Sequence, residues 1–252
     1  MTRSEFLRLM AAGFVAGARG GRLRAAPSGR LSAVVFDGFP IFDPRDAVRV
    51  AEELFPGRGG ELVAAWRTRQ FEYQWLRALG GKYADFRETT SEGLTFAAKQ
   101  SRIDLSLQAR DRLMEVYVAL PVWPDVEPAL AALREEGLRL AILSNMTPAM
   151  LDAGIRKAGL TGVFEHVLST DRLRTYKPDP RAYRMGVDAL GLARERILFA
   201  AFAGWDVAGA RWFGYPTFWV NRLAQPEESL GAPADGSGPG LTDLVEWVRK
   251  RR

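Results

Sequence analysis

Four polar groups each stand just after an apolar run, and together they offer two carboxylates, a hydroxyl, a carboxamide and an ammonium. Asp37 follows Val34-Val35-Phe36, and Ser144-Asn145 follow Ala141-Ile142-Leu143. Lys177 lies in Tyr176-Lys177-Pro178-Asp179, and Asp206 comes shortly after the run Ile197–Ala203. A carboxylate can attack carbon, a second can deprotonate water, and a nearby ammonium keeps an acid ionised. Taken singly, each residue has an ordinary structural reading as a cap, a turn or a solvated side chain. Their shared position is harder to dismiss, because ligands of open parallel sheets bind beyond the carboxyl ends of the strands.

Other chemistries are excluded by composition. The chain has no cysteine, which removes disulfides, Cys-ligated zinc and thiol nucleophiles. His166 is the sole histidine and no Gly-x-Ser-x-Gly elbow surrounds any serine, so a Ser-His-Asp hydrolase does not fit. His166 is expected to cap or pack beside its strand. Gly57, Gly59 and Gly60 suggest a loop, without the strand–helix context of a nucleotide fingerprint.

The elements that must position the polar groups can be read from the same runs. Ala33–Phe36, Leu138–Leu143, Ile197–Ala203 and Pro216–Val220 are continuously apolar, as buried parallel strands are, and Val167-Leu168 is a weaker fifth. Helices fall between them. Thr147-Pro148 opens one that Gly159 closes, Asp179-Pro180 opens one that ends at Gly191, and Val126, Leu130 and Leu133 make one closed by Gly137. This alternation predicts a doubly wound α/β core. It is interrupted from Pro44 to about Pro121 by helical patterns alone, notably Leu62, Trp66, Tyr73 and Leu76 on one face. An all-helical insertion directly after the first strand reads as a cap over the strand ends. The expected division is a leader over 1–30, a helical cap over 45–120, and a core of 31–44 and 121–252. Leu230 to Gly240 reads as a loop, followed by a final amphipathic helix carrying Leu241, Leu244, Val245 and Val248.

The net charge of +5 is not spread over the chain. Residues 1–30 hold six Arg and one Glu, leaving 29 basic and 29 acidic residues in 31–252. A neutral body gives no support to a nucleic-acid partner or an anionic membrane surface. Arg3 and Arg8 precede a short apolar run, Leu9 to Ala18, too short to span a bilayer. Thr2-Arg3-Ser4-Glu5-Phe6-Leu7-Arg8 resembles a twin-arginine export signal, with Ser4 in place of the second Arg. Two readings stand: an exported or periplasmic protein if the leader works, and a cytoplasmic one with an idle tail otherwise.

The order Phe36-Asp37, Leu143-Ser144-Asn145, Tyr176-Lys177-Pro178-Asp179, Trp205-Asp206 resembles the haloacid dehalogenase superfamily. Trp66-Arg67-Thr68-Arg69-Gln70-Phe71-Glu72-Tyr73 is similar to the cap signature of its L-2-haloacid dehalogenases. The resemblance covers roughly 31–250 and implies a five-stranded Rossmann-like core with a helical cap. Phosphatases of the superfamily carry a second Asp two residues after the nucleophile, as metal ligand and acid. Phe39 stands there, and a phenyl ring offers Mg²⁺ no oxygen, so no metal and no cofactor are expected.

The resemblance further implies a division of labour for a small 2-haloacid substrate. Asp37 attacks C2 and Lys177 keeps it ionised; Ser144 and the backbone N–H groups of Gly38 and Phe39 receive the substrate carboxylate. Arg67, on a helix face with Phe71 and Trp75, stabilises the departing halide with help from Asn145. Tyr183 positions Lys177, Asp206 serves as base, and Phe39, Phe71, Phe86 and Trp205 wall the pocket. A homodimer is among the expected states.

Three departures bear on this assignment. The family's Gly-Thr-containing stretch after the nucleophile is replaced by the shorter Phe39-Pro40-Ile41. Ala201 and Ala203 stand where a Ser and an Asn flank the hydrolytic water, and Thr68 replaces a usual Gln. The alkylation half is better preserved than the hydrolysis half. Beside dehalogenation of S-2-haloacids, two alternatives stay open: hydrolysis of another small activated acid, including fluoroacetate-like ones, and a catalytically reduced fold kept for binding.

Overall fold

Strand β1 (Ala33–Phe36) is apolar at every position because both of its faces are covered. Val34 and Phe36 enter one hydrophobic cluster, whereas Ala33 and Val35 enter the other. The structure is a computed structural model describing residues 30–118 and 120–251; the leader with its export-signal motif lies outside the described residues. The same two-faced division runs through β2 (Arg139–Ser144) and β4 (Ile197–Ala201). Burying a side chain such as Phe36 stabilises by roughly 1.5–3 kcal/mol, and Asp37 follows directly on the last strand residue.

These strands join β3 (His166–Ser169), β5 (Thr217–Val220) and β6 (Gly236–Gly238) in one parallel sheet, ordered β3-β2-β1-β4-β5-β6. Six strands are seen where five are expected, since β6 falls in the segment read as a loop. Its Gly236-Ser237-Gly238 carries no apolar side chain to reveal a strand, and its pairing with Phe218–Val220 is purely a backbone matter. β1 lies centrally, with β2 on one side and β4 on the other. The order in which strands are added therefore reverses beside Asp37, at a topological switch point.

Between β1 and β2 come α1 (Asp46–Leu54), α2 (Gly59–Leu79), α3 (Phe86–Gln100), α4 (Leu107–Val118) and α5 (Val126–Glu135). Later connections use α6 (Pro148–Lys157), α7 (Pro180–Leu190) and α8 (Gly204–Phe213), and α9 (Leu241–Arg249) closes the described chain. The expected caps hold: Thr147 Oγ1 accepts from the Met150 N–H, and Asp179 Oδ1 from the Arg181 N–H. Gly191 ends α7 at φ +61°, a conformation glycine adopts without cost to a Cβ.

The helical excursion over 46–118 leaves and re-enters the core through one narrow stem. Phe42 and Val122 form an antiparallel bridge, the Asp43 N–H donates to Pro121 O (2.7 Å), and the Trp123 N–H donates to Ile41 O (3.1 Å). Two readings of α2 need correction. Gly59 and Gly60 begin this helix rather than forming a loop. Its buried stripe runs Leu62, Trp66, Gln70, Gln74, while Tyr73 is only half-buried and Leu76 is 62% exposed. Counting apolar residues alone passes over two buried amides that find polar partners, Gln70 on Thr90 Oγ1 and Gln74 on Asn145. No helix among the described residues is long and apolar enough to cross a membrane.

Candidate active site

The tight turn after β1 brings Asp37 to the mouth of the sheet. Gly38 is required there by close approach: a Cβ on it would meet Ser144 Oγ at 2.8 Å. The Phe39 N–H folds back and donates to Asp37 Oδ2 (3.2 Å), an Asx-type turn. This corrects one expectation, since that N–H holds the Asp37 carboxylate instead of facing a substrate carboxylate. The Ser144 hydroxyl oxygen accepts from the Met146 N–H (3.1 Å), which leaves its own hydrogen for donation.

Lys177 is buried and bridges two carboxylates. Its Nζ donates to Asp37 Oδ1 and to Asp206 Oδ2, each at 2.6 Å. Burial alone would lower the lysine's pKa, but Asp206 and Asp37 together outweigh it and raise the value. Asp206 moves the other way from a simple ion-pair partner. Burial raises its pKa to about 6, against the opposing pull of Lys177 and with a further rise from the like charge of Asp37. The asymmetry is physical, because one ammonium serves two carboxylates while each carboxylate has only that one.

Tyr183 also differs from expectation. Its hydroxyl donates to Asp206 Oδ1 (2.7 Å), not to Lys177, so its grip on the lysine is indirect. Burial holds that phenol well above the ordinary tyrosine range, keeping it a donor. Gly209 on α8 makes room for it, since a Cβ there would collide with Tyr183 Oη.

Above Asp37 lies a tight cavity of about 10 Å³ lined by Asp37, Phe39, Arg67, Phe71, Phe86, Ser144, Asn145, Ala203 and Trp205. Lys177, Tyr183 and Asp206 stand behind Asp37 and do not line it. Arg67 comes from α2, its guanidinium carbon 5.2 Å from the Phe202 ring centre and 5.8 Å from those of Phe39 and Phe71. Burial lowers its pKa, partly countered by Tyr117 and Asp37, and no carboxylate among the described residues pairs with it. A charged planar fork faces the cavity from among aromatic rings. Phe71 meets Trp205 edge-on at 5.4 Å and stacks on Trp75 at 6.0 Å, closing one wall.

Asn145 is held on both ends of its carboxamide. Its Oδ1 accepts from the Lys177 N–H (3.0 Å) and the Thr170 hydroxyl (3.2 Å), and its Nδ2 donates to Gln74 Oε1 (3.2 Å). Phe202, Thr170 and Gln74 were not singled out by sequence. Gln74 had a signal, because i+7 from Arg67 returns to the same helix face. Thr68, which replaces the usual Gln, is exposed and donates to Ala64 O in its own helix. Ala201 ends β4 and Ala203 precedes α8, both without a polar side chain to offer the cavity. His166 opens β3 beside Glu165, far in register from Ser144.

The arrangement can direct a buried carboxylate paired with an ammonium at a small electrophile, with an arginine ready for a departing anion. The Lys177 ammonium sits between the two acids. Among the described residues no group of three or more His, Cys, Asp or Glu gathers to bind a metal.

Known proteins agree with this geometry. The chain is 40% identical over 217 residues to an (S)-2-haloacid dehalogenase of Pseudomonas sp. (strain YL), covering 86% of this chain and 94% of that one. It is 39% identical over 220 residues to haloacetate dehalogenase H-2 of Moraxella sp. (strain B), covering 87% and 98%. The L-2-haloacid dehalogenase of Xanthobacter autotrophicus, solved with chloropropionic acid covalently bound, superposes with a TM-score of 0.81 at 34% identity, covering 88% of this chain and all of that one. The family model for haloacid dehalogenase-like hydrolases matches residues 30–214. This chain belongs to the haloacid dehalogenase-like hydrolases.

Proposed function

We propose that this protein hydrolyses S-2-haloacids to 2-hydroxyacids through an ester on Asp37. The observation that carries the reading is the pairing of Asp37 with Lys177 at 2.6 Å beneath a cavity into which the unpaired Arg67 projects. A carboxylate oxygen of Asp37 forms a bond to C2 while the carbon–halogen bond breaks, and the halide leaves with the electron pair. Arg67 and its aromatic surround stabilise that anion in a water-poor space. The Ser144 hydroxyl and the turn around Gly38 receive the substrate carboxylate, with Phe86 and Trp205 excluding water. Attack opposite the leaving group inverts C2. Water then adds to the Asp37 ester carbonyl as Asp206 takes its proton; the bond from the carbonyl carbon to the substrate oxygen breaks, that oxygen takes the proton back from Asp206, and the hydroxyacid departs from the restored Asp37 carboxylate.

The helices over 45–120 act as the cap in this reading, since α2 supplies Arg67 and Phe71 from above the strand ends. The tight cavity favours small acids such as the chloropropionic acid and haloacetate of the relatives' names. A fold retained only for binding has no need of Asp37, Arg67 and Lys177 in one place. A homodimer belongs to the reading and is checked by light scattering.

Halide release from S-2-chloropropionate and chloroacetate, with and without EDTA, tests the proposal. Release unaffected by EDTA is expected. No release from either acid, with Mg²⁺-dependent cleavage of a phosphomonoester, would overturn it.

A further inference from the structure

Both ends of the Lys177 peptide unit are held from one helix of the insertion. Trp75 Nε1 donates to Lys177 O (3.2 Å). The neighbouring Gln74 reaches the Lys177 N–H through Asn145, whose Oδ1 accepts it. Asn145 cannot turn over in this arrangement. Its Oδ1 already faces two donors, Lys177 N–H and Thr170 O–H, so Nδ2 must face Gln74 and Gln74 must answer with its carbonyl oxygen. That choice leaves Gln74 Nε2 buried with no partner. An unsatisfied buried donor is unfavourable, and a leucine or methionine at 74 would avoid it. The carbonyl oxygen is the part of Gln74 with a task.

We infer that Gln74 and Trp75 are positioning residues that couple the seat of α2 over the cavity to the placement of Lys177 and Asn145. Lys177 Nζ spans Asp37 and Asp206 at 2.6 Å each, so a small shift of its backbone lengthens one of those two bonds. Arg67 and Phe71 lie on the same helix, two turns and one turn earlier. Seating α2 therefore brings the anion-stabilising arginine and the lysine that pairs with Asp37 into place in one movement. The inference rests on the dehalogenase reading for its kinetic consequence but not for its structural one.

The test uses Gln74→Leu, Gln74→Glu and Trp75→Phe in the full chain. Gln74→Glu keeps an oxygen facing Asn145, and Trp75→Phe keeps the ring while removing the N–H. Losing one net hydrogen bond should lower kcat for S-2-chloropropionate about tenfold in Gln74→Leu, with KM changed less than about threefold. Gln74→Glu should recover kcat to within about threefold of wild type. Backbone exchange at Lys177, followed by NMR without substrate, should quicken about tenfold in Gln74→Leu, since opening free energy falls by one bond, and recover in Gln74→Glu. Unchanged exchange and kcat in both Gln74→Leu and Trp75→Phe would overturn the coupling. Loss of melting temperature with normal kcat, or no recovery in Gln74→Glu, would reduce Gln74 to a packing role. If Gln74→Leu fails to fold, Trp75→Phe and Gln74→Glu decide by the same two readouts. Absence of halide release by the wild type sinks the dehalogenase reading alone, and exchange still judges the coupling.

Discussion

Lys177 Nζ lies 2.6 Å from Asp37 Oδ1 in a region where the lysine side chain is 1% exposed. A cation this deep is stable only because carboxylates surround it, and Asp206 supplies the second. In Lys177→Met, two acids face each other without a counter-ion. Removing one partner of a buried pair costs about 3–5 kcal/mol, and activity should fall at least ~10²-fold. The folded pKa of Asp206 then rises further, because the opposing pull of Lys177 is gone, so stability is present at low pH and lost as pH climbs. Urea unfolding at pH 5 and 8 checks this; an equal deficit at both would contradict it.

Asp206, with its pKa raised to about 6, should govern the acid limb of kcat. A base is inactive when protonated, so the rate should climb as pH rises through about 6 rather than about 4. The folded value exceeds the ordinary 3.8, so Asp206 favours folding while protonated and loses that contribution as pH rises through 6. Tyr183→Phe removes a donor that lowers this pKa, and the limb should move to higher pH. A limb that stays put in Tyr183→Phe would remove Tyr183 from control of the base.

Arg67 is the charge best placed to meet a leaving halide. Losing stabilisation that matters chiefly in the first transition state should slow the initial burst of halide by ~10²-fold or more in Arg67→Ala. Arg67→Lys should recover little, because an ammonium lacks the planar fork that packs among Phe39, Phe71 and Phe202. Rapid-quench halide release with 2-chloropropionate decides the matter, and a near-normal burst rate in Arg67→Ala would exclude the role.

Hydrolysis of the Asp37 ester has the weaker machinery. Both Asp206 oxygens already hold a partner, Lys177 and Tyr183, and Ala201 and Ala203 offer no hydrogen bond to a water. Loss of a well-held general-base arrangement costs ~10²–10⁴-fold, so the second step should limit turnover. Rapid quenching with chloroacetate should give a burst of halide and an Asp37 peptide heavier by one carboxymethyl group. Ala203→Asn should quicken the slow phase. Linear release from the first turnover, with no adduct, would mean that hydrolysis is not limiting.

Much of this was legible from residue order alone. Continuous apolar runs ending in Asp37, Ser144 and Asp206 specify a parallel sheet with polar strand ends, because burial on both faces leaves no alternation to follow. Thr147-Pro148 and Asp179-Pro180 specify helix starts through local hydrogen bonds that need no tertiary partner. Phe39 alone argued against a metal-binding acid at that position. Tertiary structure decided the rest. Residues 140 apart in sequence, Asp37 and Lys177, meet only when the sheet sets β1, β2 and β3 side by side. The partner of Tyr183 and the strand at Gly236–Gly238 are set by contacts between segments distant in sequence, which leave no local signature. Gln74 was hidden for the plainest reason: a buried amide breaks the apolar pattern, and its partner Asn145 lies 71 residues away, on a strand end that only folding brings beneath α2.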